Sequence, residues 1–317
     1  MAPVTLFRQL RQGRLRTHTS VVKPALTDAN KAKRLQFALS HTRRDTMEYV
    51  DMYDTVNVDE KLFYITQPTR RFLLLPNEQA PVRRLRSKRY ITRVMFLAAV
   101  GQPRFDPAIQ QFFDGKLGIW PFVEHVPAQR SSARRPAGTI ITKQISVTKN
   151  TYRSMLIANL LPALHARWPR NDTTIVVQQD NAPAHIASDD AVFTEAVAAA
   201  GRNIRLCNQP LNSPDLNCTD LGLFSAIQAR QRKKNARTID EFIAAVTEVY
   251  WELPARTINS TFLSLQGSMD DCIAQGGDNN YKPRHMKKDK LRREGRLPVS
   301  IRCCTRAEAI LTQPTVL

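Results

Sequence analysis

Apolar positions recur along the chain with two spacings, one typical of helices and the other of buried strands. Near the N-terminus, the segment "TLFRQLRQGRL" places Leu6, Phe7 and Leu10 on one face of a helix. Farther along, apolar and β-branched runs such as "TVNVDEKLFYIT" indicate strands. The further helices predicted in this way cover residues 26–41, 151–168 (with a kink at Pro162), 189–201, 220–233 and 239–253, and the strands cover residues 55–66, 70–76, 94–101, 173–180 and 203–210.

The order of these elements indicates the class of fold. Strands come first, from about residue 55, and helices alternate with strands after residue 151. This order is typical of an α/β or α+β protein in which helices cover a sheet core. Residues 102–147 are rich in Pro, Gly, Arg and Ser and are predicted to form loops with short strands. The polar and basic residues after about position 275 are predicted to form a tail.

The charge of the chain narrows the class of partner. Its 317 residues include 47 Lys and Arg against 28 Asp and Glu, which gives a net charge of +19. Such a surplus favours a polyanionic partner, with nucleic acid ahead of an anionic membrane. A ribosomal-type or merely solvated basic surface is the alternative that charge alone leaves open.

Membrane insertion, secretion and zinc binding are not indicated. No apolar run approaches the roughly 18–20 residues that span a bilayer, and the N-terminus lacks the apolar segment of a signal peptide. The five cysteines include no CxxC pair, so a zinc site or a disulfide framework is not expected. Reduced thiols in the cytosol or nucleus fit this pattern better.

A lone carboxylate stands where a buried strand is predicted to end. In "VVQQDNAPAH" (176–185), Asp180 follows an apolar β-branched run. A second acid, Asp59, lies within the strand at 55–66, where alternation places Glu60 on the opposite face. If the two strands are parallel neighbours, Asp59 and Asp180 meet near the carboxyl ends of the sheet, where open α/β sheets hold ligands.

Two adjacent carboxylates repel each other unless a cation lies between them, and Mg²⁺ is the hard, oxygen-liganded cation that suits them. Two such ions can cleave or join a phosphodiester bond. A third ligand is expected in "NSPDLNCTD" (212–220), which holds Asp215 and Asp220. Asp215 is predicted to be a turn residue that satisfies its own backbone. Asp220 either caps the following helix or points into the site, and Asp189 and Asp190 are predicted as first-turn residues of their helix.

Three segments together resemble the catalytic blocks of Tc1/mariner-type transposases, specifically their plant and oomycete mariner-like branch. They are "VNVDEKLFYIT", "VVQQDNAPAH" and "NSPDLNCTDLGLFSAIQ", and the resemblance extends over roughly residues 4–297. The family pattern maps onto Asp59, Asp180 and Asp220 as a DDD triad. The resemblance implies an RNase H-like mixed sheet flanked by helices, two Mg²⁺ or Mn²⁺ ions, and cleavage and strand transfer at transposon ends. It also implies a homodimer on double-stranded DNA and action in the nucleus.

The resemblance also implies accessory residues at the site and a division of the chain into domains. Asn181 and His185 match the second block without being ligands, and either a positioning role near DNA or a structural histidine is compatible with that match. Family members carry two helix-turn-helix units ahead of the core, of which "VTLFRQLRQGRL" is similar to the last helix, so a truncated copy is predicted. The predicted divisions are a helical, basic remnant and linker (1–46), a catalytic domain (47–275) and a basic tail (276–317). Cys218 and Thr219 depart from the family, which has apolar residues there more often.

Basic segments are predicted to contact DNA phosphates, with little base specificity. The predicted DNA-binding residues are Arg8, Arg11, Arg14, Arg83, Arg84, Arg86, Lys88, Arg89, Arg130, Arg134 and Arg135. The runs "RQRKK" (230–234) and "KKDKLRR" (287–293) are candidate nuclear-import signals or solvated surface. Two rival functions remain open: a catalytically inactive or domesticated DNA-binding protein, and another two-metal nuclease or integrase-like enzyme.

Overall fold

A five-stranded mixed sheet forms the centre of the structure, a computed structural model. It describes residues 3–15, 22–66, 73–75, 77–79, 82, 91–107, 110–132, 135–169 and 173–312. The strands are β1 (Thr55–Tyr64), β2 (Arg93–Gly101), β3 (Arg104–Asp106), β4 (Gln111–Phe113), β5 (Lys116–Pro121), β6 (Val123–Pro127), β7 (Ile140–Gln144), β8 (Ile175–Gln179) and β9 (Ile204–Asn208). The helices are α1 (Pro3–Arg11), α2 (Asp28–Ser40), α3 (Lys149–Met155), α4 (Leu161–Arg167), α5 (Ala191–Ala199), α6 (Phe224–Gln231), α7 (Ile239–Glu252), α8 (Ala255–Ala274), α9 (Lys288–Arg293) and α10 (Thr305–Thr312).

The strand order in the main sheet is β5-β2-β1-β8-β9. β1 is antiparallel to β2 and parallel to β8, and β8 is parallel to β9. The predicted parallel pairing of the strands that carry the first two acids is therefore confirmed. The strands β3, β4, β6 and β7 form two separate hairpin-like pairs within the segment that the sequence predicts as loops with short strands.

Helices cover both faces of the sheet, because strand β1 buries apolar side chains on each. Val56 and Val58 join one core cluster with α3, α4 and the π-helical turn Leu156–Leu160 between them. Phe63 joins the other cluster with side chains of α6, α7 and α8. This division confirms the predicted alternation along β1, in which odd and even positions face opposite layers. The predicted kink at Pro162 corresponds to the π-helical turn that directly precedes α4.

The C-terminal part of the chain corrects two sequence predictions. Helix α8 was not predicted, because buried polar side chains such as Gln266 and Asp270 interrupt its apolar pattern. The predicted tail after residue 275 is wrong for residues 276–312, which pack against the body of the protein. Ile301 and Ala307 belong to the core, and Arg302 pairs with Glu48 in an isolated β-bridge.

Two further predictions concern the strand at 70–76 and the crossing of a membrane. The predicted strand at 70–76 lies partly outside the described residues, and residues 73–75 are not in a strand. Within the described part of the chain, no helix is long and apolar enough to cross a membrane.

The C-cap of helix α2 leads to a prediction of pH-dependent stability. Burial lowers the pKa of His41, whose Nδ1 lies 2.8 Å from the Phe37 carbonyl oxygen. The unfolded chain therefore takes up a proton at this residue before the folded chain does, and acidification below about pH 6.5 favours unfolding. Between pH 7.5 and 5.5, we expect the free energy of unfolding to fall more in the parent chain than in His41→Gln. The difference between the two decreases should be up to about 1 kcal/mol. Urea unfolding at the two pH values measures this, and parallel losses in both proteins would contradict it.

Candidate functional site

Strands β1 and β8 carry Asp59 and Asp180 to the same level of the sheet. Thr55 pairs with Val176 and Asn57 with Gln178, a constant offset along the parallel ladder. The same offset, continued for two residues, aligns Asp59 with Asp180, which directly follows β8. Asp59 therefore lies level with the carboxyl end of the adjacent parallel strand β8, as the sequence predicts, although β1 itself continues to Tyr64.

The carboxylate of Asp59 is buried and held by hydrogen bonds from three directions. Its Oδ2 accepts hydrogen bonds from Asn217 Nδ2 at 3.0 Å and from Thr219 Oγ1 at 2.9 Å. Its Oδ1 accepts a hydrogen bond from the backbone N–H of Glu60 at 2.7 Å. Burial, together with the negative charge of Asp220, nevertheless raises the pKa of Asp59 to about 8. The acid is thus oriented by neutral donors, and no basic side chain of the described residues forms an ion pair with it.

A histidine holds the carboxylate of Asp180, and a second acid, Glu60, holds that histidine. His185 Nδ1 lies 2.8 Å from Asp180 Oδ1, and His185 Nε2 lies 2.9 Å from Glu60 Oε2. Burial alone would lower the pKa of His185, but its bonds to Asp180 and Glu60 outweigh this effect and raise the pKa to about 10. Burial likewise opposes ionisation of Asp180, yet His185 and the backbone N–H of Ala182 hold its pKa below the ordinary value.

The ring of His185 is fixed from its face as well as from its edges. It stacks on Tyr152 with centroids 4.2 Å apart, and the Tyr152 hydroxyl donates to Gln179 Oε1 at 3.0 Å. The alternation along β1 directs Glu60 away from Asp59, and the side chain of Glu60 binds His185 instead. Glu60 therefore belongs to the site through His185, a link that the alternation of a single strand does not reveal.

Asp220 lies on the π-helical turn Thr219–Leu223 that precedes α6. It does not cap a helix, since Cys218 holds the N-cap position and makes no side-chain cap bond. Partial burial raises the pKa of Asp220; Lys61 opposes this effect and the charge of Asp180 adds to it. Asp220 thus interacts electrostatically with both Asp59 and Asp180, and it is the better candidate of the two acids in "NSPDLNCTD".

Asp215 lies in the turn Pro214–Leu216 as predicted, but its carboxylate binds more than its own backbone. The Asp215 carboxylate forms a two-pronged ion pair with the buried Arg34, with N–O distances of 2.8 and 2.7 Å. It also accepts a hydrogen bond from the Tyr281 hydroxyl. The prediction of Asp189 and Asp190 as first-turn residues is wrong, because α5 begins at Ala191. Asp190 is the N-cap instead: its side chain accepts a hydrogen bond from Phe193 N–H at 3.0 Å and pairs with Arg153 at 2.6 Å.

The donor chemistry of the three acids suits a divalent cation. All three offer carboxylate oxygens, the ligands that Mg²⁺ and Mn²⁺ prefer. Burial is the main cause of the raised pKa values of Asp59 and Asp220, and a bound cation would offset its effect by stabilising the charged carboxylates. In the described part of the chain, however, no three Asp, Glu, His or Cys side chains are grouped so as to hold a metal ion by themselves. The acids fit a cation in chemistry and charge, but they do not form a closed protein cage around it.

The other predicted residues are distributed over the surface. Asn181 lies beside Asp180, and its Nδ2 donates to the Gln209 carbonyl oxygen. Of the predicted DNA-binding residues, five lie within the described ranges and are exposed: Arg8, Arg11, Arg14, Arg130 and Arg135. Outside the described residues are Arg83, Arg84, Arg86, Lys88, Arg89 and Arg134. A part of the predicted phosphate-binding set is therefore exposed to solvent, and the rest stays a prediction.

The fold is similar to those of solved mariner transposase structures. The Mos1 mariner paired end complex with Mn matches with a TM-score of 0.62 and 18% identity, over 89% of this chain and 72% of that chain. The Mos1 transposase paired-end complex with left transposon end matches with a TM-score of 0.59 and 17% identity, over 87% and 70%. The catalytic domain of Mos1 mariner transposase matches with a TM-score of 0.53 and 16% identity, over 82% and 100%.

At these identities the likeness concerns the fold. The chain has the mixed sheet flanked by helices of the Mos1 catalytic domain, so the predicted RNase H-like fold class is confirmed. No protein-family profile matches the sequence. No curated protein matches it either.

Proposed function

We propose that the chain is a mariner-type DDD transposase that cleaves double-stranded DNA at transposon ends and transfers the strands to a target. One observation carries the proposal. In a fold shared with Mos1 transposase, Asp59 within β1 lies level with Asp180 at the end of the adjacent parallel strand β8, and the charge of Asp220 interacts with both. The proposal draws further support from the net charge of +19.

In this proposal Asp59, Asp180 and Asp220 would hold the divalent cation, two ions of Mg²⁺ or Mn²⁺ in the full site. Bound metal supplies activation of an attacking water or 3′-hydroxyl and stabilisation of the leaving oxygen. Asn217 and Thr219 keep one oxygen of Asp59 fixed by donating to it. Such outer partners orient ligands and commonly determine metal affinity.

The partners follow from the same proposal. The exposed arginines of α1 and of the loop between β6 and β7 would contact phosphates, because the planar guanidinium group matches the geometry of phosphate oxygens. Mos1 has been solved as a paired-end complex with its left transposon end. By analogy we propose transposon ends and target DNA as substrates, a homodimer as the active assembly, and the nucleus as its location.

A DNA-binding protein without cleavage activity is the second candidate function. The observation in its favour is that no three potential metal ligands of the described residues form a group able to hold an ion. In that case the surface charge would serve to bind DNA, and the three acids would have no chemical role.

Removal of divalent metal separates the two candidates. We expect the purified chain to nick a labelled duplex carrying mariner-type ends in Mg²⁺ or Mn²⁺, and to lose all nicking in EDTA, since the hydrolysis barrier falls only with metal bound. A random-sequence duplex of equal length is the matched control for dependence on transposon ends. Binding without nicking in either metal would favour the DNA-binding protein, and equal nicking of both duplexes would favour a general two-metal nuclease.

A further inference from the structure

A basic cavity of about 530 Å³ lies outside the carboxylate site, between helices α6, α8 and α9. Its lining consists of Arg230, Arg256, Thr257, Ser260, Asp289, Arg292 and Arg293. Four arginines from three different helices thus surround one concave surface. The two candidate nuclear-import signals, residues 230–234 and 287–293, each contribute to this lining.

Most of the positive charge in this cavity is not neutralised. Arg292 pairs with Asp289, the single acid of the lining, at 2.6 Å and donates to Ser260 Oγ at 2.9 Å. The other three arginines have no acidic partner within 4.0 Å among the described residues; they are Arg230, Arg256 and Arg293. The cavity therefore carries an excess of about three positive charges.

The pKa of a lysine at the edge of the cavity is affected by this positive charge. Lys288 donates to the Ser260 carbonyl oxygen at 2.6 Å and to the Ser264 hydroxyl. Burial, and then the like charge of Arg292, lowers the pKa of Lys288. A site that disfavours further positive charge in this way is one in which a bound anion is stabilised.

We propose that this cavity binds backbone phosphates of duplex DNA, an inference that deepens the proposed function and rests on it for the choice of nucleic acid as partner. The guanidinium groups offer planar pairs of donors that match phosphate oxygens. The lining contains no aromatic side chain on which the bases of a single strand could stack. Contacts to phosphate carry no sequence information, so the cavity is expected to bind a duplex of random sequence.

The position of the cavity places it beside the segment that carries Asp220. Thr261, the neighbour of Ser260 on α8, has its Cγ2 3.1 Å from the point where a Cβ on Gly222 would stand. Gly222 in turn is two residues from Asp220. The helix that lines the cavity therefore also packs against the turn that carries Asp220. An anionic membrane is disfavoured as the occupant, since the lining is concave and offers no apolar side chain for insertion.

The test is a binding measurement that requires no cleavage. The double variant Arg256→Gln/Arg293→Gln is compared with Arg237→Gln/Lys282→Gln, which removes the same charge from exposed residues outside the cavity. Each full-length protein is titrated in EDTA with a fluorescent 30-base-pair random duplex at several NaCl concentrations. We expect the cavity variant to bind about tenfold more weakly near 100 mM NaCl and to lose about two from the slope of log K against log salt. The control should stay within about twofold of the parent chain.

Further arms distinguish the other outcomes. Restoration of tight binding by Arg256→Lys/Arg293→Lys, with an unchanged urea midpoint in all variants, would show that charge and not folding is responsible. Equal affinities and salt slopes for the cavity and control variants would overturn the proposal. So would a loss confined to phosphatidylserine vesicles, which would indicate a lipid site, or a loss confined to a single-stranded 30-mer. Because EDTA prevents metal-dependent cleavage, failure of the cavity and failure of the proposed catalysis give different results.

Discussion

Asp180→Asn is expected to lower metal-dependent DNA cleavage by at least about 100-fold, while duplex binding and the urea midpoint stay close to those of the parent chain. The asparagine oxygen can still accept the hydrogen bond from Ala182 N–H, which lies 2.8 Å from Asp180 Oδ1. His185 also keeps Glu60 as its second partner. The substitution therefore removes a negative charge with little change of shape, and a divalent cation loses one of its proposed ligands.

Asp189→Asn is the matched control, because Asp189 is an exposed acid nine residues away that forms no bond to the site. Cleavage rates of end-labelled duplex in Mg²⁺ and Mn²⁺ measure the effect, and calorimetric titration with Mn²⁺ measures metal binding apart from activity. We expect Asp189→Asn to match the parent chain in both measurements. Equal cleavage by the two variants would show that Asp180 is not a metal ligand in the reaction.

Local patterns predicted the framework of the site correctly. The alternation in "TVNVDEKLFYIT" and the apolar run before Asp180 identified β1 and β8, because a strand buried between two helical layers must be apolar on both faces. The hypothesis of a shared site depended on parallel pairing of the two strands, and the structure has that pairing. These features depend on residues within a few positions of each other, which is the range over which a sequence pattern is informative.

The surroundings of the acids could not be predicted in the same way. Glu60 and His185 are 125 positions apart and meet only because β1 and β8 are adjacent. Thr219 was noted as a departure from the family, yet its hydroxyl donates to Asp59 across 160 positions. Each of these contacts depends on a side-chain orientation that long-range packing sets.

Helix α8 shows a different limit of sequence reasoning. Its buried face includes Gln266, Ser268 and Asp270, whose polar atoms break the apolar stripe that usually reveals a helix. These groups are buried because later residues satisfy some of them: Ile301 N–H donates to Gln266 Oε1 at 3.0 Å, and Cys304 N–H donates to Asp270 Oδ1 at 2.7 Å. The hidden helix and the mistaken tail are thus one error, since each segment makes sense only beside the other.

The largest stability effect is expected at the buried ion pair that joins distant parts of the chain. Arg34 of α2 is fully buried and binds Asp215 through two hydrogen bonds, while its Nε donates to the Gly277 carbonyl oxygen at 2.9 Å. We expect Arg34→Ala to lower the free energy of unfolding by about 3–5 kcal/mol, because it leaves a carboxylate that is largely buried without its cation. Lys33→Ala, one position away and exposed, should change it by less than about 0.5 kcal/mol. Urea unfolding followed by circular dichroism measures both.

A double-mutant cycle identifies the cause of that loss. Burial favours the neutral form of Asp215, but Arg34 and then Tyr281 hold its pKa below the ordinary value, so at neutral pH the charge is present in the folded state. If the uncompensated charge is the main cost, Arg34→Met combined with Asp215→Asn should destabilise the protein less than the sum of the two single changes. Additive changes in the free energy of unfolding, or a loss for Lys33→Ala as large as that for Arg34→Ala, would contradict this explanation. Either result would show that the ion pair does not hold α2 and the segment after α8 against the turn ahead of Asp220. A coupling of more than about 1 kcal/mol would show that it does, and would explain why a polar arginine occupies the centre of an otherwise apolar helix contact.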